Sequence, residues 1–229
     1  MTRRGGPQRI PRPESWVLGG PAPWADLDRS NISTDRIESA LAARGPGQLR
    51  RVAPAPDTRR SAVLVPLYED NGEAHVILTR RSPNLRSHTH EVSFPGGRVD
   101  PTDVDDWDTA LREAHEEVAL DRALPRHIGD LDSFVAGGSQ TFVTPLVAVL
   151  AERPTLIPSE AEVEHILHVP LAELLLPEVF REEIWTRDGV IHRITFFELH
   201  GDTVWGATGS MLRQLLAIVT GAGEDQPFL

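Results

Sequence analysis

The pattern of apolar and polar positions divides the chain into an irregular start, a short helix and a long series of strands. Residues 1–29 are rich in proline, glycine and arginine and contain two isolated tryptophans, Trp16 and Trp24. We expect this stretch to be irregular and to drape over the domain or over a partner. Residues 33–45 (STDRIESALAARG) begin with a serine, space their apolar residues at helical intervals and end in glycine. They therefore predict a helix.

Strand patterns dominate from residue 61. The apolar runs at 61–68 (SAVLVPLY) and 74–80 (AHVILTR) flank Asn71-Gly72, a dipeptide typical of tight β-hairpins. Asp188-Gly189 marks a second hairpin in the same way. Two further strands are predicted at 142–150 and 165–170. A helix is predicted at 107–119, with an apolar face of Leu111, Ala114 and Val118, and a last helix at 207–220.

Strands that lie before, between and after two main helices favour an α/β protein. The expected architecture is an α/β/α sandwich, in which helices cover both faces of a mixed sheet. At 229 residues the chain suits one globular domain with extensions. We expect an N-terminal extension at 1–59 with a short helix and a Pro- and Arg-rich linker, a catalytic domain at 60–221 and a tail at 222–229.

The most informative stretch is residues 96–120, in which a glycine pair precedes the helix that carries Arg112, Glu113, Glu116 and Glu117. Residues three and four apart share one face of a helix, so the three glutamates lie close together and repel one another. A divalent cation bound among them removes that conflict, and Mg²⁺ prefers such oxygen ligands. The alternative is a solvated acidic face, which is the usual fate of an acidic run.

Composition narrows the chemistry. The chain has no cysteine, which excludes disulfides, thiol nucleophiles and Cys-ligated metal sites. It also has no lysine, so its 23 basic residues are all arginine, and every side-chain cation that meets a phosphate must be an arginine. A formal net charge of −11 argues against a nucleic-acid-binding role. Since no apolar run is long enough to span a bilayer, we expect no membrane partner and a cytoplasmic location.

Residues 96–120 resemble the Nudix box, with a glycine, a spaced acid, an Arg-Glu-x-x-Glu-Glu run and a small residue at the exit. Further segments resemble the coenzyme A pyrophosphatase branch of that family, and the likeness covers roughly residues 60–220. These segments are Leu78-Thr79-x-Arg81-Ser82, Arg86, Phe94-Pro95-Gly96-Gly97, Val143-Thr144-Pro145, Val169-Pro170-Leu171 and Trp205-Gly206-Ala207-Thr208.

Four positions depart from the family pattern. Asp103 stands where the box usually has glutamate, the spacing from Asp103 to Arg112 is one residue longer than the general pattern, and Ala119 replaces a glycine. His90-Glu91 stands where the coenzyme A motif usually has Gly-Gln. We expect Asp103 to brace the loop before the helix rather than to bind metal. The change at His90 favours a smaller nucleotide substrate as an alternative, because glycine permits close approach of a ligand and histidine is bulky.

The resemblance implies metal-dependent hydrolysis of a diphosphate bond. Mg²⁺ or Mn²⁺ is expected to be held by Glu116, Glu117 and the Gly97 carbonyl, with Glu113 either a third ligand or the group that orients the attacking water. It also implies an assisting acid in a later loop, for which Glu162 is the best match and Glu160 and Glu164 stay open. Arg112 is expected to hold the carboxylates. Substrate contacts are expected from arginines near the box, whereas Arg80 is expected to face solvent; the proposed contacts are Arg81, Arg86 and Arg98.

Three functions follow as hypotheses. The first is cleavage of coenzyme A or a derivative into adenosine 3′,5′-bisphosphate and a phosphopantetheine product. The second is hydrolysis of another nucleoside diphosphate-linked compound or nucleotide, such as ADP-ribose, NADH or a damaged deoxynucleotide. The third is a non-catalytic nucleotide-binding module. The expected partner is a small-molecule nucleotide, and a homodimer is kept open as the oligomeric state.

Overall fold

A long strand at the centre of the larger of two sheets organises the computed structural model. The structure describes residues 4–48, 55, 57–85, 88–136, 140–187 and 189–223. Its elements, in chain order, are β1 (Trp16–Leu18), α1 (Thr34–Arg44), β2 (Arg59–Asp70), β3 (Glu73–Arg81), β4 (Val92–Ser93), β5 (Gly96–Arg98), α2 (Asp106–Val118), β6 (Arg126–Asp130), β7 (Phe134–Ala136), β8 (Thr141–Leu150), β9 (Val163–Pro170), α3 (Leu171–Leu174), β10 (Phe180–Arg187), β11 (Val190–Glu198), β12 (Thr203–Trp205) and α4 (Gly206–Thr220).

The larger sheet is mixed, as the sequence predicts. Its main path runs β4-β3-β2-β8-β6, with β5 paired to β2, β7 to β8 and β9 to β3. Strands β2 and β8 are parallel, whereas the other pairs in this sheet are antiparallel. The predicted hairpin at Asn71-Gly72 joins β2 to β3.

Helices cover both faces of this sheet, which confirms the predicted fold class. Ala62, Leu64 and Tyr68 of β2 share one buried apolar cluster with Ala110, Leu111, Ala114 and Val118 of α2. Val65 and Leu67, which lie between them along β2, pack instead into a second cluster with residues of α1 and α4. This division follows from the alternation of side chains along a strand.

The remaining predicted elements are also present. Helix α1 begins after Ser33, whose hydroxyl accepts a hydrogen bond from Arg36 N at 3.2 Å, and it ends at Gly45. Helix α2 spans the predicted box helix, and α4 ends at Gly221. Strands β8 and β9 cover the predicted runs, and β10 pairs with β11 across the second hairpin, although Asp188 itself lies outside the described residues.

The N-terminal segment is more ordered than its composition indicates. The expectation that 1–29 is irregular is wrong at Trp16–Leu18, because β1 is the first strand of a second, four-stranded sheet in the order β1-β10-β11-β12. Trp24 is fully buried and meets Phe180 edge-to-face, with ring centroids 5.3 Å apart. Isolated tryptophans among prolines and glycines carry no periodicity, so the sequence pattern did not predict this sheet.

Over the described residues, every helix falls short of the length and apolar character that a transmembrane span needs.

Candidate active site

Strand β5 places the glycine pair, Gly96 and Gly97, between β2 and the carboxylate of Glu113 on α2. Gly96 and Gly97 pair with Val63 and Ala62 of β2. A Cβ atom added to Gly97 would lie 2.4 Å from the carboxyl carbon of Glu113, and one added to Gly96 would lie 2.5 Å from the carbonyl oxygen of Ala62. Both distances are too short for any side chain. The glycines therefore let the backbone of β5 lie directly against the carboxylate of Glu113.

Helix α2 presents the acidic residues, and its two ends are capped. Asp105 Oδ1 accepts a hydrogen bond from Asp108 N at 2.8 Å, which satisfies a free donor of the first turn. The helix ends at Ala119, whose φ of 54° lies in the left-handed region. Glycine is the residue that adopts this conformation without strain, which accounts for the glycine that the box usually has here.

Arg112 ties the loop before α2 to the helix. Its Nε donates to Asp103 Oδ1 at 2.8 Å, and its Nη2 donates to Asp103 Oδ2 at 3.0 Å and to the Arg98 carbonyl at 2.9 Å. Its Nη1 donates to Glu113 Oε1 at 2.9 Å and contacts both oxygens of Glu116 at 3.3 Å. The expectation that Arg112 holds carboxylates is confirmed.

Asp103 braces the loop, as predicted. Besides Arg112, its Oδ2 accepts hydrogen bonds from Thr109 Oγ1 at 2.7 Å and from Asp100 N at 2.8 Å. The hydrogen bonds from Arg112 hold the pKa of Asp103 well below its usual range. With each oxygen occupied by protein donors, Asp103 acts as a structural carboxylate.

Glu117 is the most deeply buried acid of α2. It is only 3% exposed, and its Oε2 accepts a hydrogen bond from Gly96 N at 3.3 Å. Burial raises its pKa to about 8, and the charges of Glu113 and Glu162 add to the rise, against the opposing effects of Gly96 N–H and of Arg81. Burial likewise raises the pKa of Glu113, although Arg112 opposes that shift. Two acids of one helix face are therefore costly to ionise in the protein alone.

Glu162 faces the same group of charges from another part of the chain. It directly precedes β9, and its carbonyl accepts a hydrogen bond from Ser82 N at 2.8 Å. Its charge acts on both Glu113 and Glu117. Glu164 has different partners, Arg80 and His90, and Glu160 is exposed. Of the three acids considered from the sequence, Glu162 is the one that the fold couples electrostatically to α2.

The three proposed substrate arginines differ in their surroundings. Arg81 is half-buried at the end of β3, and its Nε is buried without a hydrogen-bond partner in the described structure. Its charge is close enough to act on Glu117. Arg98 is exposed and contributes its carbonyl to Arg112. Arg86 lies outside the described residues.

Arg80 does not face solvent, and that expectation is wrong. Its Nε lies 3.2 Å from Glu164 Oε2, and its Nη1 lies 3.2 Å from Asp202 Oδ1. Glu164 Oε2 also lies 2.9 Å from Nδ1 of His90. Both partners are distant from Arg80 in the chain. The pairing of β3 with β9 brings Glu164 close to Arg80, whereas Asp202 belongs to the turn directly before β12.

The match to known proteins agrees with this geometry. Residues 58–189, more than half of the chain, match the model of the NUDIX domain. The chain belongs to the Nudix family. Its relatives include Nudix hydrolase 22, chloroplastic, of Arabidopsis thaliana, which is 38% identical over 168 residues, covering 70% of this chain and 55% of that protein. The chain thus corresponds to about half the length of the plant relative.

Another Nudix relative is similar over most of its length. The uncharacterized Nudix hydrolase NudL of Photorhabdus laumondii is 37% identical over 159 residues, which cover 69% of this chain and 84% of that protein. Among solved structures, a C. elegans Ap4A hydrolase binary complex aligns at 24% identity with a TM-score of 0.42, covering 50% of this chain and 81% of that one. Similarity this distant says nothing about the substrate of the present chain.

Nudix hydrolases generally use divalent metal ions. Within the described ranges, no three or more His, Asp or Glu side chains are already gathered closely enough to enclose an ion. The carboxylates are bound by protein donors instead: Glu113 and Glu116 share Arg112, and Glu117 contacts Gly96 N. The donor set still suits a hard cation, because it consists of oxygens only and the backbone of Gly97 lies directly against Glu113.

Proposed function

We propose that this chain hydrolyses the diphosphate bond of a nucleotide-linked substrate, with coenzyme A or a derivative as the preferred one. The expected products are adenosine 3′,5′-bisphosphate and a phosphopantetheine compound. One observation carries the proposal. Arg81 is half-buried at the end of β3, and its positive charge is close enough to act on Glu117 of the acidic helix. The guanidinium is only half-buried and carries further N–H groups besides Nε, which can donate charge-assisted hydrogen bonds to a phosphate oxygen of the substrate.

The metal site belongs to the same proposal. Glu113, Glu116, Glu117 and the carbonyl of Gly97 would hold Mg²⁺ or Mn²⁺, and bound metal would lower the pKa of a water molecule and neutralise charge on the phosphoryl oxygens. Two of these acids have raised pKa values because of burial, so a cation would offset the cost of ionising them.

The remaining steps are assigned to groups of the protein itself. Glu162 is exposed, and its charge acts on Glu113 of α2. We therefore propose that its carboxylate accepts the proton of the attacking water. Arg81 orients the diphosphate. Arg112 and Asp103 join the loop to helix α2, and neither is assigned a contact with the substrate.

Coenzyme A carries a 3′-phosphate in addition to its diphosphate, so an acidic protein without lysine must bind it with local arginines. Arg81, Arg86 and Arg98 are the proposed contacts. His90 is compatible with this substrate, because its imidazole is tied to Glu164 and its φ of 60° keeps the backbone conformation that favours glycine.

A second candidate remains within the same reaction class. Because His90 is bulkier than the glycine of the coenzyme A motif, ADP-ribose, NADH or a damaged deoxynucleotide is the alternative substrate. A non-catalytic module is disfavoured, since such a module gains nothing from a buried and a half-buried acid that repel each other.

The test is a product screen across coenzyme A, ADP-ribose, NADH and nucleoside triphosphates with Mg²⁺ or Mn²⁺. We expect kcat/KM to be highest for coenzyme A. A preference of about tenfold for ADP-ribose or NADH, equivalent to about 1.4 kcal/mol of transition-state binding, would select the second candidate. A lack of turnover of every compound with either metal would contradict catalysis.

A further inference from the structure

The N-terminal segment reaches the proposed substrate site through one buried side chain, Gln8. Its Nε2 donates to the carbonyl of His90 at 2.8 Å and to Asp202 Oδ1 at 3.0 Å. Its Oε1 accepts a hydrogen bond from Thr203 N at 2.9 Å. Gln8 is 8% exposed, and Asp202 is 3% exposed. The amide of Gln8 therefore uses both its nitrogen and its oxygen to link the N-terminal segment to His90 and to the turn at Asp202 and Thr203, which are far apart in the chain.

The backbone continues this connection to Arg81. His90 N donates to the carbonyl of Arg81 at 3.1 Å, and Arg81 N donates to the carbonyl of Glu91 at 2.9 Å. Gln8 therefore fixes the backbone of His90, which is in turn hydrogen-bonded to the backbone of Arg81. His90 also has a φ of 60°, a conformation that is unfavourable for a histidine and needs support from its surroundings.

Arg80 strengthens the same bridge from the other side. Its guanidinium contacts Asp202, which accepts from Gln8, and Glu164, which contacts the imidazole of His90. The peptide and the side chain of His90 are thus fixed by two different partners, and the peptide depends on Gln8.

We infer that Gln8 is a positioning residue that holds Arg81 in place for the substrate diphosphate. This inference rests on the proposed function of Arg81, and it gives the N-terminal segment a part in substrate binding. Gln8 touches neither the acids of α2 nor any proposed substrate group. It acts only through His90 and the backbone pair with Arg81, so its loss should affect substrate affinity more than turnover.

The first test does not depend on a substrate. Gln8→Met keeps the length of the side chain and removes its hydrogen bonds. Amide hydrogen exchange of Arg81 and His90 should become about three- to tenfold faster in Gln8→Met, as expected for the loss of one or two hydrogen bonds. Arg4→Met is the matched control, because Arg4 ties the same N-terminal segment to Glu173 and to the Glu198 carbonyl. It should leave both amides unchanged.

The second test measures hydrolysis of coenzyme A with Mg²⁺. Gln8→Met should raise KM about three- to tenfold and leave kcat within about twofold, because it weakens a contact already made in the ground state. In an Arg81→Met background the same change should add almost nothing to KM, since the group being positioned is gone.

Three results would overturn the inference: unchanged exchange in Gln8→Met, equal acceleration in Arg4→Met, or effects on KM that add fully to those of Arg81→Met. If Gln8→Met does not fold, Gln8→Asn keeps the amide on a shorter side chain and should show the same changes in smaller measure. Failure of the wild type to cleave coenzyme A would contradict the proposed substrate, whereas the exchange measurement would still decide the role of Gln8.

Discussion

Arg112 and Asp103 form a two-bonded ion pair that joins helix α2 to the loop before it, with Nε–Oδ1 and Nη2–Oδ2 distances of 2.8 and 3.0 Å. Planar guanidinium and carboxylate groups match in this arrangement, so it fixes orientation as well as distance. The pair explains how the box tolerates an aspartate in a loop that is one residue longer. Both oxygens of the shorter acid accept hydrogen bonds from protein donors.

Asp103→Ala should therefore destabilise the protein more than it impairs the chemistry. We expect a loss of about 2 kcal/mol in the free energy of unfolding, typical of hydrogen bonds to charged groups, and a smaller fall in kcat than in Glu117→Gln. Chemical denaturation and steady-state kinetics on the folded fraction measure the two effects. A folded Asp103→Ala protein as inactive as Glu117→Gln would show that Asp103 takes part in the reaction.

Activity should depend wholly on a divalent cation and on two acids of α2. Glu116→Gln and Glu117→Gln should each lower kcat by about a hundredfold or more, because one ligand charge is worth several kcal/mol of transition-state stabilisation. Circular dichroism should show that both variants stay folded. Turnover in excess chelator, or full activity of either variant, would contradict the assignment of the metal site.

Glu117 should make the metal-free protein less stable as the pH rises. Its pKa is raised from 4.5 to about 8 in the folded state, so its contribution is present below about pH 4.5 and is lost as the pH rises through 8. Glutamine resembles the protonated form. In chelator, Glu117→Gln should match the wild type near pH 4.5 and exceed its stability at pH 9 by roughly 2–4 kcal/mol. Equal unfolding curves at pH 9 would contradict the burial of an unpaired charge.

Arg81→Met should raise KM for coenzyme A and for a substrate that lacks the 3′-phosphate to a similar extent, because Arg81 is assigned to the diphosphate that both share. The loss of one charge-assisted hydrogen bond predicts a rise of about tenfold or more. Arg126→Met is the control, because Arg126 pairs with Glu38 and has no contact with the acids of α2. A rise confined to coenzyme A would assign Arg81 to the 3′-phosphate instead, and no rise with either substrate would contradict its role in binding.

Ala119→Gly should stabilise the protein by about 1 kcal/mol, since glycine adopts the left-handed conformation without strain. Ala42→Gly is the matched control: Ala42 is an exposed residue inside α1, so glycine there should cost about 1 kcal/mol. Thermal unfolding measures both variants. Destabilisation by Ala119→Gly would show that the end of α2 does not need a left-handed residue.

The sequence was informative where local rules decide the structure. Ser33, Gly45 and the Asn71-Gly72 dipeptide act through their immediate neighbours, and the predicted helix and hairpin are present. The apolar spacing of Leu111, Ala114 and Val118 likewise fixed which face of α2 is buried. Arg112 could be assigned because its partners on α2 lie within one helical turn.

Contacts that depend on distant pairing could not be predicted. The family resemblance favoured Glu162 over Glu160 and Glu164, but its electrostatic coupling to α2 depends on the alignment of β9 with β3 and could not be read from the sequence. Arg80 was misjudged because Glu164 and Asp202 are remote in sequence, and nothing near Gln8 indicates its bond to His90. The metal ligands remain predictions, because in the described structure Glu113 and Glu116 are bound by Arg112 and Glu117 is bound by Gly96 N.

The pairing of β1 with β10 also bears on the order in which the molecule assembles. Strand β1 is synthesised well before β10, β11 and β12, the other strands of its sheet. The hydrogen bond between Arg12 and Glu183 likewise spans 171 positions. During translation, Trp16–Leu18 and Trp24 have no partner to pack against until most of the chain has left the ribosome. Because loops this long close slowly, docking of the N-terminal segment is expected as a late folding event.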